Sequence, residues 1–205
     1  MATPDYAEAL SLLTTPADLD CLVQEDLQEV AKSLRSSSTR QFSRRQAIRC
    51  LFSCIEALIY STKRKAEIFA VLKSVTLTAG ELAIIREVSY QIDDQGSIRE
   101  AKLLLNFQPK VRFAMCLLAR VLEIDPPDFG SAGWRDLVKA AKIRNRLSHP
   151  TCPADLHVSD VVVELVGSGC GWLTGATRHF NTATEVFISD LRNELMVKGL
   201  IQGCE

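Results

Sequence analysis

The chain has 205 residues, with 24 Lys and Arg against 25 Asp and Glu and a formal net charge of −1 at pH 7. Apolar residues make up 47% and charged residues 24%, a balance that suits one globular domain closing its core without staples. The near-zero charge excludes a global attraction to nucleic acid, so any such contact needs a local basic patch.

The opening, MATPDYAEAL, lacks the basic start and apolar core of a signal peptide. No apolar run approaches the ~18 residues that suggest a membrane span. Seven cysteines, an odd number, sit mostly in apolar patterns such as FAMCLL. They read as reduced core thiols, not as a disulfide framework. A cytoplasmic protein is expected.

Helical periodicity dominates the chain. From Asp18 to Arg35 the apolar positions Leu19, Leu22, Val23, Leu27, Val30, Ala31 and Leu34 fall on one helix face. Ser36–Thr39 break the pattern and offer caps for the next helix. From Arg40 to about Lys73 no Gly or Pro occurs, and Ile48, Leu51, Phe52, Ile55, Leu58 and Ile59 form a stripe. TAGE (Thr78–Glu81) and SIRE (Ser97–Glu100) both fit the capping box and predict helix starts. Ile98–Ile124 is a long helical pattern with a kink or break expected at Pro109. Ser131 to about Leu147 is the next helix, with Trp134, Leu137, Val138 and Ala141 inward. SHPTCPADLHVSD reads as an ordered loop. Ser159 is a candidate cap for a last helical region reaching toward Leu200. DVVVELV (Asp160–Val166), a strand in isolation, is read as helix in this setting. The fold class is all-α, an antiparallel helical bundle.

Several constellations carry little chemistry. GSGCGWLTG (Gly167–Gly175) has no Lys-Ser/Thr after it and is no P-loop. Its glycines cost a helix about 1 kcal/mol each, so a kink, a break or close helix packing is expected. Cys50 and Cys54 are helical neighbours, but no second ligand pair accompanies them; buried thiols are the expectation. His157 and His179 stand alone and read as surface or capping residues. The run Arg40, Arg44, Arg45, Arg49 is either a solvated rim covering core edges or a phosphate-contacting edge. Solvated runs are the commoner case.

IRNRLSHP (Ile143–Pro150) is different. Pro150 disfavours helical geometry at His149, so the helix should end near Ser148. An ideal helix would point Arg144 and His149 about 140° apart. Released from the helix, the imidazole can turn back to the last carbonyls, which favour a cation. An Arg beside a titratable His suits phosphodiester chemistry: the guanidinium clamps phosphate oxygens and the imidazole moves protons. The competing reading is a plain cationic helix cap with a solvated arginine.

The motif Arg144, Asn145, Arg146, Leu147, Ser148, His149 resembles the Arg-x4–6-His signature of the HEPN superfamily, in which a polar residue follows the Arg. RRQAIRCLFSCIEALIYSTKR (Arg44–Arg64) is similar to the long first core helix of these domains. GWRDLVKAAKIRNRLSHP (Gly133–Pro150) is similar to the helix that delivers the motif. The likeness covers residues 40–180, with residues 1–39 and 181–205 as helical extensions packed on the same domain. It implies a four-to-five-helix bundle that dimerises, with two Arg/His motifs meeting in one composite site. It implies a metal-independent endoribonuclease without cofactor, of the kind found among toxins and defence effectors, with a protein neutraliser as partner. His149 would assist proton transfer and Arg144 would stabilise phosphoryl charge. Asn145 would orient the pair or hydrogen-bond the backbone, and Glu56 would either partner Arg144 or form a rim salt bridge. Lys142, Arg146, Arg45 and Arg49 are candidate RNA contacts. The alternative is a non-catalytic HEPN module that binds RNA, nucleotide or a protein partner.

Overall fold

The computed structural model describes residues 6–36 and 40–197. The elements are α1 (Tyr6–Ser36), α2 (Gln41–Leu72), α3 (Ala79–Arg86), β1 (Val88–Ile92), β2 (Ile98–Lys102), α4 (Phe107–Leu122), α5 (Ala132–Ser148), a 3-10 turn (Pro153–Leu156) and α6 (Asp160–Val197). The fold is all-α apart from one antiparallel hairpin that pairs Ile92 with Ile98 and Val88 with Lys102. Among the described residues, no helix is long and apolar enough to cross a membrane.

Helix α2 is the central member and packs against α1, α4 and α5, while α5 lies along α6. Its stripe is buried as the spacing requires: Ile48, Leu51, Phe52, Ile55, Leu58 and Ile59 are each at most 2% exposed. One continuous core joins α1 to the far end of α6, where Leu191 and Leu195 are still buried. Residue 180 therefore falls inside an unbroken helix. Helix α1 begins well before Asp18 and carries Pro16 within it. Leu22, on its expected inner face, is exposed.

Three local expectations change. Ser97–Glu100 starts no helix: Ser97 closes a turn and Ile98–Glu100 lie in β2. The Asp93 carboxylate accepts the N–H groups of Gln95 and Ser97 at 3.0 and 2.9 Å. Gly96 takes φ 78°. Together they close a tight turn, after which Ile98 pairs across to β1. The apolar alternation Val88, Tyr90, Ile92 is the strand signal, and it is short. Pro109 does not kink a helix: it lies in the first turn of α4, after the cap Asn106, where no amide hydrogen is needed. Helix α2 takes Arg40 as its N-cap without a side-chain hydrogen bond; Ser37–Thr39 lie outside the described residues. By contrast, Thr78 and Glu81 form the full reciprocal capping box, and the Ser159 hydroxyl accepts the Val162 N–H at 3.4 Å.

The glycine run of α6 does not break the helix: α6 is continuous for 38 residues. Gly169 permits close packing. A Cβ there would stand 2.6 Å from the Leu137 Cα of α5. Gly133 of α5 does the reverse, since its Cβ would stand 2.7 Å from the Trp172 Cβ of α6.

Two charged clusters lie within the bundle. Lys65 pairs with Asp20 and donates to the Asn181 Oδ1 at 3.0 Å, tying α2 to α1 and α6. Lys63, with a fully buried side chain, meets Glu87 at 2.7 Å, and Lys110 reaches the same oxygen at 2.9 Å. Hydrogen bonds from Lys110 and then Lys63 hold the Glu87 carboxyl down from 4.5 to about 2. Burial pushes the Lys63 ammonium below its ordinary value, and Glu87 opposes that shift.

Gly169→Ala should cost about 2 kcal/mol by overpacking. Gly171→Ala, where a Cβ meets nothing within 4 Å, should leave stability unchanged or raise it by up to about 1 kcal/mol. Urea unfolding of the two variants checks the contrast. Because the folded Glu87 pKa is depressed, its contribution is complete at pH 7 and drains away as pH falls from about 4.5 toward 2. Glu87→Gln should cost about 3 kcal/mol at pH 7 by stranding buried Lys63, and the stability–pH profile should flatten over that acid window.

Candidate functional site

The last turn of α5 ends where Pro150 requires. His149 is its C-cap, with φ −131° and ψ 64°, and its amide still donates to the Asn145 carbonyl at 2.9 Å. The imidazole does not turn back on the helix. It is exposed and has no hydrogen-bond partner among the described residues. The cation that meets the helix end comes from α2 instead: Arg49 Nη2 donates to the Leu147 carbonyl at 2.5 Å. A guanidinium reaching from a neighbouring helix satisfies the orphan carbonyl better than a side chain that must fold back on its own turn.

The arginines of α2 form a series. Arg45 donates to the Leu156 carbonyl at 3.0 Å. Arg44 donates to the Val158 carbonyl at 2.9 Å and pairs with Asp160 at 2.6 Å. Gln41 both donates to the Val158 carbonyl and accepts its amide, at 3.1 and 2.7 Å. Of the two readings of this run, the solvated rim and the phosphate edge, neither describes it well. Its donors fasten the backbone between α5 and α6. The Asp155 carboxylate orders the same loop by accepting from the Thr151 amide and hydroxyl and the Cys152 amide. These bonds, the Thr151 amide first, hold its carboxyl below the ordinary value.

Fastening α5 to α2 brings Arg144 over the exposed edge of the core. Arg144 Nη2 meets Glu56 Oε1 at 2.5 Å. The guanidinium carbon lies 5.3 Å from the centre of the Phe52 ring, a cation–π distance. The Nε is buried without a hydrogen-bond partner. Around this group opens a polar cleft of about 200 Å3 lined by Arg49, Phe52, Ser53, Glu56, Arg144 and Ser148. It thus brings together Arg144, Glu56 and Arg49 of the residues singled out from sequence.

The others lie outside that lining. His149 directly follows Ser148 in the chain. Asn145, Arg146 and Lys142 are exposed, and their side chains have no partner among the described residues. Arg45 is occupied by the loop carbonyl. Phe52, Ser53 and Ser148 were not singled out. Their signal is helical spacing: Phe52 precedes Glu56 by one turn, and Ser148 follows Arg144 by one turn.

The cysteines depart from expectation. The six described ones are free, but only Cys170 is buried; Cys50 is exposed and Cys54 intermediate. Burial first, then Asp26, pushes the Cys54 thiol above its ordinary value. Cys204 lies outside the described residues. His157 and His179 are exposed. Among the described residues no group of three or more His, Cys, Asp or Glu is placed to hold a metal ion. Comparison of the chain with models of protein families, with curated proteins and with solved structures gives no match.

Arg49→Ala should cost about 1–2 kcal/mol, because the Leu147 carbonyl loses a charged donor in a half-buried position. Arg146→Ala, exposed on the same turn, should change stability by less than about 0.5 kcal/mol. Chemical denaturation of both variants measures the difference.

Proposed function

We propose that the chain is a metal-independent endoribonuclease of HEPN type that acts as a homodimer on cytoplasmic RNA. The observation that carries this reading is the Arg144 arrangement. The guanidinium is held against Glu56 and over Phe52 at the wall of a polar cleft, five residues before the point where His149 leaves the helix. A preset arginine is what a phosphodiester reaction needs, since charge builds on the phosphoryl oxygens in the transition state.

In that reaction His149 takes the proton of a ribose 2′-OH as its oxygen attacks the adjacent phosphorus. Arg144 stabilises the two non-bridging oxygens. The bond from phosphorus to the 5′-oxygen breaks, and that oxygen receives a proton. The products are a 2′,3′-cyclic phosphate and a 5′-hydroxyl. Each copy brings one Arg144/His149 pair, and the composite site takes one pair from each. Asn145 would orient the pair at the interface, with Lys142 and Arg146 as exposed cations for RNA. A toxin or defence effector, restrained by a protein neutraliser, is the biological setting such an activity fits.

One feature favours a different class. Glu56 neutralises Arg144 in the resting molecule, which suits a non-catalytic module that binds RNA, nucleotide or protein and uses the pair to join α5 to α2.

The test is RNA cleavage in EDTA by the wild type beside His149→Ala and Arg144→Ala, with circular dichroism confirming that each variant folds. Each substitution should lower the rate at least 100-fold. Cleavage that persists in both variants, or that needs added metal, would falsify the mechanism. Absence of cleavage in all three, with RNA still retained, selects the binding module.

A further inference from the structure

The hairpin stands outside the core: no residue of β1 or β2 belongs to the buried cluster. Among the described residues, β2 pairs with β1 on one side and has no strand on the other. Neither a proline nor a bulge guards that edge. Its side chains are poorly covered as well. Ile98 is 72% exposed, and Leu104, just past the strand, is 82% exposed. Glu100 and Lys102 stand exposed between them, and neither side chain has a partner among the described residues.

The ladder shows which backbone groups the edge offers. The Asp93 amide donates to the Ser97 carbonyl at 3.0 Å, and the Leu103 amide donates to the Glu87 carbonyl at 2.8 Å. Hydrogen-bonded pairs alternate along an antiparallel ladder, so the bonded pairs between these two are Gln91–Arg99 and Ser89–Ala101. Ile98, Glu100 and Lys102 therefore turn their N–H and C=O groups away from β1. The Leu103 bond carries the ladder one residue past β2, and the alternation brings Leu104 next on the same free edge and the same face.

The order of side chains along that edge is its own complement. A second copy joining in parallel and in register would set Glu100 beside Glu100 and Lys102 beside Lys102, which is unfavourable. An antiparallel, two-fold pairing centred on Ala101 sets Glu100 opposite Lys102 of the second copy and Ile98 opposite Leu104 of the second copy. All four residues are the ones with outward backbone groups, so both pairs are also hydrogen-bonded pairs. Other centres fail. Moving the axis to Glu100 or to Lys102 sets like charges opposite each other. Moving it to Arg99 sets Ile98 opposite Glu100, and moving it to Leu103 sets Lys102 opposite Leu104. Strand β1 has no comparable code, since Val88–Ile92 carries no charge to fix a register.

We propose that β2 is a self-association edge, joining two copies of the chain into one four-stranded antiparallel sheet with its two-fold axis at Ala101. A lone two-stranded hairpin is marginal in water, and four strands are not. The interface is isologous, as a closed dimer requires. None of these residues lines the Arg144 cleft, so the pairing is independent of the reaction assigned to that site.

The test is sedimentation equilibrium of the full chain as wild type, as Glu100→Lys, as Lys102→Glu, and as an equimolar mixture of the two variants. Both positions are exposed, and circular dichroism should show that both variants fold. The wild type should associate reversibly into dimers. Each variant alone sets like charges opposite each other at both places across the axis, and its dimer should weaken by at least about tenfold. The mixture pairs a chain carrying two lysines with a chain carrying two glutamates and should regain the wild-type affinity. A change of stability within one chain cannot produce that recovery. A wild type that stays monomeric overturns the proposal, as do variants that each dimerise as tightly as the wild type. A mixture as weak as its two components overturns the Ala101 register.

Discussion

The end of α5 and the backbone between α5 and α6 carry carbonyls that no helix or strand satisfies, and the placement of the candidate site depends on how they are met. Leu147, Leu156 and Val158 each accept from a side chain of α2: Arg49, Arg45, and Arg44 with Gln41. Buried or half-buried carbonyls left unpaired cost free energy comparable to a lost hydrogen bond. The loop therefore holds α5 at one register on α2. That register places Arg144 against Glu56 and Phe52, which belong to the same helix as the fastening arginines. A basic run that could be taken for a phosphate surface acts instead as the scaffold that positions Arg144.

This arrangement has an internal tension. Glu56 and Phe52 fix the guanidinium at the cleft wall, and Glu56 also cancels its charge. An anion entering the cleft must compete with a carboxylate for the same donors. Glu56 is half exposed, so water already weakens that pair, and the exchange of one acid for another is less costly than stripping the arginine from a dry site. The cleft is thus consistent with an arginine held ready, and the strength of the Glu56 pair sets how readily it yields.

The helices were legible because their signals are long and redundant. The stripe on α2 repeats over several turns, and the Thr78–Glu81 capping box is reciprocal. The hairpin was not, because Ser97–Glu100 satisfies a helix-start pattern by composition while Asp93 takes the Ser97 amide first. A local motif loses to a turn when a neighbouring carboxylate captures its donor. At the site, Arg144 and Glu56 were legible as a pair by resemblance. The destination of Arg45 and Arg49 was not, because it depends on carbonyls about 100 residues further on. The cysteines misled for a related reason. An apolar run shows that a helix has a buried face but leaves open which of its members point outward, and Cys50 and Cys116 do.

The Asp20–Lys65–Asn181 tie joins the first described helix to the last. Asp20 and Lys65 lie close enough in sequence for α1 and α2 to pair early during synthesis. Asn181 emerges only after most of the chain has been made. Until then Lys65 has one partner fewer, and the face of α1 that packs against α6 has no opposing wall. That face is accordingly among the last to be covered, and its apolar residues Leu27 and Leu34 are exposed to wrong partners while the chain is incomplete.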